Sequence, residues 1–258
     1  DNDRSPALKN RVIKWFIGRY GVDMSEAAEP NPEAYATFND FFTRELKPGI
    51  RPLADGEKTL VSPVDGAISQ LGQVTGDRVF QAKGQSFSLS ELLGGEEATT
   101  APFADGEFST IYLSPKDYHR IHMPMAGTLR QMIHVPGKLF SVNPVTAENV
   151  PNLFARNERV VCIFDTASGP MALVLVGAMI VGSVETRWAG VVVPGSRQVT
   201  STLYEGEQAI SFDKGEEMGR FRLGSTVIMV MPKGSVSWNS DQVAGKTVRM
   251  GEAFGALA

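Results

Sequence analysis

The hydrophobic rhythm of this chain changes near residue 50. Between Arg4 and Tyr20, the positions Leu8, Val12, Trp15, Phe16, Arg19 and Tyr20 recur every three to four residues, the spacing that lines one face of an α-helix. A second helix is predicted over Glu33–Leu46, where Phe38, Phe41, Phe42 and Leu46 fall on one side. Pro48 ends that run, because its ring removes a backbone donor. From Thr59 onward the chain reads as short runs of Val, Ile, Leu and Thr broken by Gly, Pro, Asp and Asn, the texture of strands and turns. Strands are predicted at Gly66–Leu71, Gly106–Leu113, Gly127–His134, Arg159–Asp165, Met171–Val176, Ile180–Thr186, Gln208–Phe212 and Thr226–Met231. Turns are marked by Asp65-Gly66, Gly94-Gly95, Pro136-Gly137, Gly169-Pro170 and Pro232-Lys233-Gly234. The expected class is α+β, mainly β: short N-terminal helices followed by a β-sandwich or partly closed barrel.

Composition narrows this picture. With 258 residues, 42% of them hydrophobic, the chain can bury a substantial core. Its longest strongly apolar run, Met171–Gly182, is shorter than the roughly 18 residues a membrane-spanning helix needs. The single cysteine, Cys162, excludes an intrachain disulfide and a paired-thiolate zinc site, and it points to a reducing compartment. A net charge of −4 argues against a nucleic-acid partner. The charge is uneven, however: Arg4–Tyr20 holds five basic residues and no acidic one. A basic amphipathic helix of this kind suits an anionic membrane surface, while its apolar face equally suits packing on a core. Both readings stand at this point. The chain opens on Asp1 without a signal-like segment, and the expectation is a sequence trimmed from a longer one.

Three histidines are present, His119, His122 and His134, and the first two share the stretch Tyr118-His119-Arg120-Ile121-His122-Met123-Pro124. The flanking Ser114-Pro115 and Met123-Pro124 favour a loop between strands. The neighbouring sequence supplies no further ligands, so no metal is expected. Imidazole titrates near neutrality, which makes the pair candidates for proton transfer. Two other stretches are weak alone: Arg222-Leu223-Gly224-Ser225-Thr226, readable as a bulge at the start of a strand, and Ser62-Pro63-Val64-Asp65-Gly66, readable as an ordinary turn. Together, Asp65, His122 and Ser225 supply the residue types of an orienting carboxylate, a base and a hydroxyl nucleophile.

The motifs Ser62-Pro63-Val64-Asp65-Gly66, Tyr112-Leu113-Ser114-Pro115-Lys116-Asp117-Tyr118-His119-Arg120-Ile121-His122-Met123-Pro124 and Leu223-Gly224-Ser225-Thr226 carry a family resemblance. So does the block from Val135-Pro136-Gly137 through Phe140-Ser141-Val142-Asn143 to Asn152-Leu153-Phe154-Ala155-Arg156-Asn157-Glu158-Arg159. The sequence resembles the membrane-associated bacterial phosphatidylserine decarboxylase proenzymes from about Tyr20 to about Pro232. The segment Val193–Gly206 is hard to align, and divergence begins after Pro232.

The resemblance implies self-cleavage between Gly224 and Ser225, giving fragments 1–224 and 225–258 that stay associated. It implies a triad of Asp65, His122 and Ser225, with His119 serving the decarboxylation half of the work; His119 is assigned as the proton donor, and His122, in the same stretch, is the competing choice. Physically, His122 oriented by Asp65 takes the Ser225 proton, the oxygen attacks the Gly224 carbonyl, and elimination leaves a covalent pyruvoyl group in place of Ser225. That group would form a Schiff base with phosphatidylserine and act as the electron sink for loss of CO2, yielding phosphatidylethanolamine. The resemblance also implies a fold like lipoyl-type or sugar-phosphotransferase β folds, and peripheral attachment to the cytoplasmic face of a bacterial membrane. Residues 1–48 would be the membrane-contact region, residues 49–258 the catalytic β domain, and a homodimer is implied. Two rival readings are a serine hydrolase using the same triad and a non-catalytic lipid- or carrier-binding β domain. The first would place its serine in a Gly-x-Ser-x-Gly elbow, which is absent around Ser225. The second gives no reason for the Gly-Ser pair and the two-histidine stretch to occur together.

Overall fold

A computed structural model of the chain describes residues 6–179, 183–222 and 225–258, with Ser225 described by its backbone alone. Among the described residues the strands form four sheets, none closed into a barrel. The largest has nine strands. Its order is Thr200–Leu203, Gly127–Val135, Arg159–Thr166, Gly169–Gly177, Ser225–Met231, Glu107–Leu113, Gly66–Gln73 and Thr247–Val248, with Ile210–Phe212 also pairing with Gly127–Val135. Its pairings are antiparallel.

The central strands read as unbroken apolar runs because both faces of the sheet are covered. Val160, Cys162, Phe164, Leu173, Leu175, Val227, Met229 and Met231 point into one cluster. Val161, Ile163, Ala172, Val174, Val176, Ile228 and Val230 point into the other. A four-stranded sheet closes the first face through Ile121, Val184, Val193, Met218 and Phe221. It runs Gly190–Val193, Val184–Thr186, Glu217–Phe221, Arg120–His122. A three-stranded sheet of Thr59–Val61, Ala253–Leu257 and Val236–Trp238 adds Leu60, Val236, Phe254 and Leu257 to the same cluster. The second face is covered by the short helices Leu89–Leu93, Pro144–Asn149 and Leu153–Arg156, together with the hairpin Arg78–Ala82/Gln85–Ser88. The fold is therefore a sandwich on one side of the large sheet and an α/β layer on the other.

The structure corrects several expected boundaries. The second helix spans only Phe38–Phe42. Thr37 accepts from the Asp40 amide while the Asp40 carboxylate accepts from Thr37, and this capping box fixes its start. It cannot reach Leu46, because the backbone at Glu45 and Lys47 is already paired with Ala28 and Glu26. The first helix, Pro6–Tyr20, has its hydrophobic positions divided between two faces. Ile13 and Phe16 are buried against Val22, Phe41 and Phe42, while Leu8, Val12 and Trp15 stay exposed. The two-histidine stretch is also less loop-like than expected: Arg120–His122 is a strand paired with Glu217–Arg220. The strand predicted over Ile180–Thr186 is described only as Val184–Thr186, its first three residues lying outside the described residues.

Candidate active site

Leu113 and Ser225 stand at strand ends of the large sheet, and Arg120 and Phe221 at strand ends of the four-stranded one. Ser225 is in backbone register with Leu113, on one side, and Gly177, on the other. Upstream of it, the Phe221 amide donates to the His119 carbonyl at 2.9 Å. Ser225 thus lies beside one end of the crossing from Leu113 to Arg120, and Phe221 beside the other. The Ser62–Gly66 turn lies against this crossing, since the His122 amide donates to the Pro63 carbonyl at 2.9 Å. Gly66 permits that approach: a side chain there would run into the Tyr112 carbonyl. Leu223, the expected cleavage residue Gly224 and the Ser225 hydroxyl lie outside the described residues.

His122 has both ring nitrogens engaged. Nδ1 is 2.8 Å from the Gly215 carbonyl, and a carbonyl only accepts, so Nδ1 carries the proton. Nε2 is 3.0 Å from the Tyr118 hydroxyl and accepts from it. The tautomer expected from an Asp65 contact is thus set by the Gly215 carbonyl. Gly215 has φ +82, and a side chain there would strike Leu53, so only glycine presents that carbonyl without strain. Burial lowers the His122 pKa from its ordinary value.

Asp65 is held elsewhere. Arg51 grips its carboxylate, Nε at 3.0 and 3.1 Å and Nη2 at 2.5 Å, and the Met250 amide donates to it at 2.8 Å. Arg51 Nη2 also reaches Glu26 at 2.6 Å, and Arg249 reaches the other Glu26 oxygen at 3.0 Å. Burial works against the Arg51 charge, but the bonds to Asp65 and Glu26 outweigh it and raise its pKa. Arg51 was not singled out from the sequence, and no local spacing flags a partner 14 residues away.

His119 is completely buried, its ring 4.0 Å from that of Phe42. Its Nδ1 donates to the Asp117 carbonyl at 2.8 Å, and its Nε2 has no hydrogen-bond partner among the described residues. Burial pushes its pKa down to about 3, so the ring is neutral with a free lone pair on Nε2. His134 is apart from this site, buried and paired with Glu158 at 2.8 Å.

A sequence model of phosphatidylserine decarboxylases matches residues 38–256. The phosphatidylserine decarboxylase proenzyme of Marinobacter nauticus is 73% identical over 257 residues, covering 100% of this chain and 90% of the relative. Those of Bordetella avium and Hahella chejuensis are each 60% identical, covering 98% and 99% of this chain and 86% of each relative. The chain belongs to the phosphatidylserine decarboxylase family. The match runs to residue 256, well past the divergence expected after Pro232.

In this decarboxylase a polar cavity of about 230 Å³ adjoins Asp65, lined among others by Arg44, Arg51, Asp117, Tyr118 and Arg249. Charges of both signs face it, which suits a headgroup carrying an ammonium and acidic groups together. Tyr118 links the cavity to His122. Among the described residues no group of three or more His, Cys, Asp or Glu could hold a metal ion. None of their helices is long and apolar enough to cross a membrane.

Proposed function

We propose that this phosphatidylserine decarboxylase makes its own cofactor by cutting its backbone between Gly224 and Ser225, leaving a pyruvoyl group at position 225. The observation that carries this reading is the pairing on either side of the expected cut: the strand Glu217–Phe221 runs beside both histidines, and Ser225 opens a strand clamped from both sides. Position 225 suits such a group, because pairing with Leu113 and Gly177 would fix the new end of the small fragment. When formed, the pyruvoyl carbonyl supplies the electron sink that loss of CO2 from an amino acid requires.

Around it, His122 is the base for the Ser225 hydroxyl, exchanging Tyr118 for that hydroxyl at Nε2. Asp65, gripped by Arg51, acts on the site through its charge. His119, neutral and with no partner at Nε2 among the described residues, is an acceptor for a polar group in the gap. The cavity beside Asp65 takes the serine headgroup. Fragment 225–258 stays in place because its first strand lies inside the large sheet and its Met250 amide holds Asp65. The exposed stripe of Leu8, Val12 and Trp15, flanked by exposed Arg11 and Arg19, gives the Pro6–Tyr20 helix a face for an anionic bilayer. The protein would then sit peripherally on the cytoplasmic face.

Intact-mass measurement under denaturing conditions tests this directly. The expected result is two fragments, with the small one blocked at its N-terminus, and sedimentation of the cleaved protein with vesicles containing phosphatidylserine. Ser225→Ala is expected to remain one full-length chain and release no CO2. An active preparation that remains a single unbroken chain overturns the reading.

A further inference from the structure

We propose that Tyr118 is a proton-carrying residue of the site, its phenol relaying protons between His122 Nε2 and the ligand's polar group in the adjoining cavity. The inference rests on the decarboxylase reading above and assigns the proton path within it. Its geometric basis is a directional chain. The Gly215 carbonyl obliges His122 Nδ1 to hold a proton, which leaves Nε2 as acceptor and makes the Tyr118 hydroxyl the donor. That donation still leaves lone pairs on the phenol oxygen, and Tyr118 lines the cavity while His122, which does not, is hydrogen-bonded to Tyr118. His119 is less suited to give a proton, because its single N–H is spent on the Asp117 carbonyl and its other nitrogen has no partner among the described residues.

The protons balance over one cycle. An ammonium in the cavity gives a proton to the Tyr118 oxygen as the Tyr118 proton passes to Nε2, leaving a free amine and an imidazolium. After CO2 departs, the Tyr118 O–H bond breaks toward the carbon that lost it, a C–H bond forms, and the Nε2 proton restores the phenol. Burial supports this assignment: it keeps His122 neutral at rest and raises the Tyr118 pKa, so the phenol works as a relay and is not spent as a phenolate. The charges facing the pair are Arg120 on its own strand, Glu217 on the neighbouring strand, Asp65 on the turn and Glu45 from the N-terminal region.

The test is Tyr118→Phe, which removes only the hydroxyl. In an uncleaved Ser225→Ala background, imidazole NMR follows His122, one of only three histidines. Losing a donor that favours the neutral ring is expected to raise the His122 pKa. In the cleaved enzyme, turnover is expected to fall roughly 10²-fold, with its acid limb moved to higher pH while the carbonyl remains titratable by hydrazine. An unchanged His122 titration together with unchanged turnover overturns the proposal. Should the variant misfold, 3-fluorotyrosine at position 118 keeps the shape and strengthens the donor. A lower His122 pKa then supports the relay, and an unmoved one overturns it. A wild-type chain that neither cleaves nor releases CO2 overturns the underlying functional reading instead.

Discussion

The middle of the nine-stranded sheet and the polar junction beside Asp65 use opposite means to reach the same rigidity. In the sheet, Val174, Leu175, Ile228 and Met229 are apolar and buried on both faces, so order comes from undirected packing in which similar side chains can substitute for one another. At the junction, Glu26, Arg51, Asp65 and Arg249 form one chain of ion pairs drawn from distant parts of the sequence. Order there depends on direction and pairing, and a missing partner leaves a buried charge exposed to its full desolvation cost. The proposed chemistry suits such a junction because it needs particular atoms at particular places.

The largest expected effect comes from breaking the junction. Arg51→Met leaves the Asp65 carboxylate buried beside Glu26, and urea unfolding in the Ser225→Ala background should show a loss of about 3–5 kcal/mol, with slowed self-cleavage in the otherwise wild-type chain. A loss below about 1 kcal/mol, the scale of a surface pair, would erase the contrast. Next in size is the sheet. Leu173→Ala is expected to cost about 2–5 kcal/mol by emptying a fully buried position, while the proton chemistry at His122 keeps its pH profile. A shifted profile would mean the two regions are not separable.

The smallest effect sharpens the junction alone. His119 and His122 both have pKa values pushed below 6.5 by burial, so each holds fewer protons folded than unfolded in that window. Their contribution is complete above the unfolded value and declines as pH falls from 6.5 toward the folded values, about 3 for His119. Between pH 6.5 and about 5.5 the loss is at most about 1.4 kcal/mol per histidine. Chemical denaturation across that range should show it, with a shallower slope in His119→Asn.

Much of the sheet was legible in the sequence, because Arg159–Thr166 and Ser225–Met231 announce themselves as apolar runs bounded by turn residues. Short strands such as Glu217–Phe221 and Gly190–Val193 were not, since three to five residues carry too little periodicity to separate them from loops. At the candidate site, Asp65, His119 and His122 were singled out through their motifs. The Arg51 grip and the Gly215 carbonyl were invisible, because one is a pairing made through the fold and the other a backbone atom with no side chain to read. The N-terminal stripe misled for a physical reason: a helix wedged between a core and solvent carries two apolar faces, and a single periodicity merges Phe16 with Trp15.

The position of Ser225–Met231 inside the sheet bears on the lifetime of the molecule. A break ahead of it converts a unimolecular refolding problem into a bimolecular one, since a central strand would have to be recaptured from solution at whatever concentration prevails. A molecule cut while folded could work for as long as it held together, yet once unfolded it would have no comparable way back. Its endurance would then be set by the height of the unfolding barrier and not by the depth of the folded well.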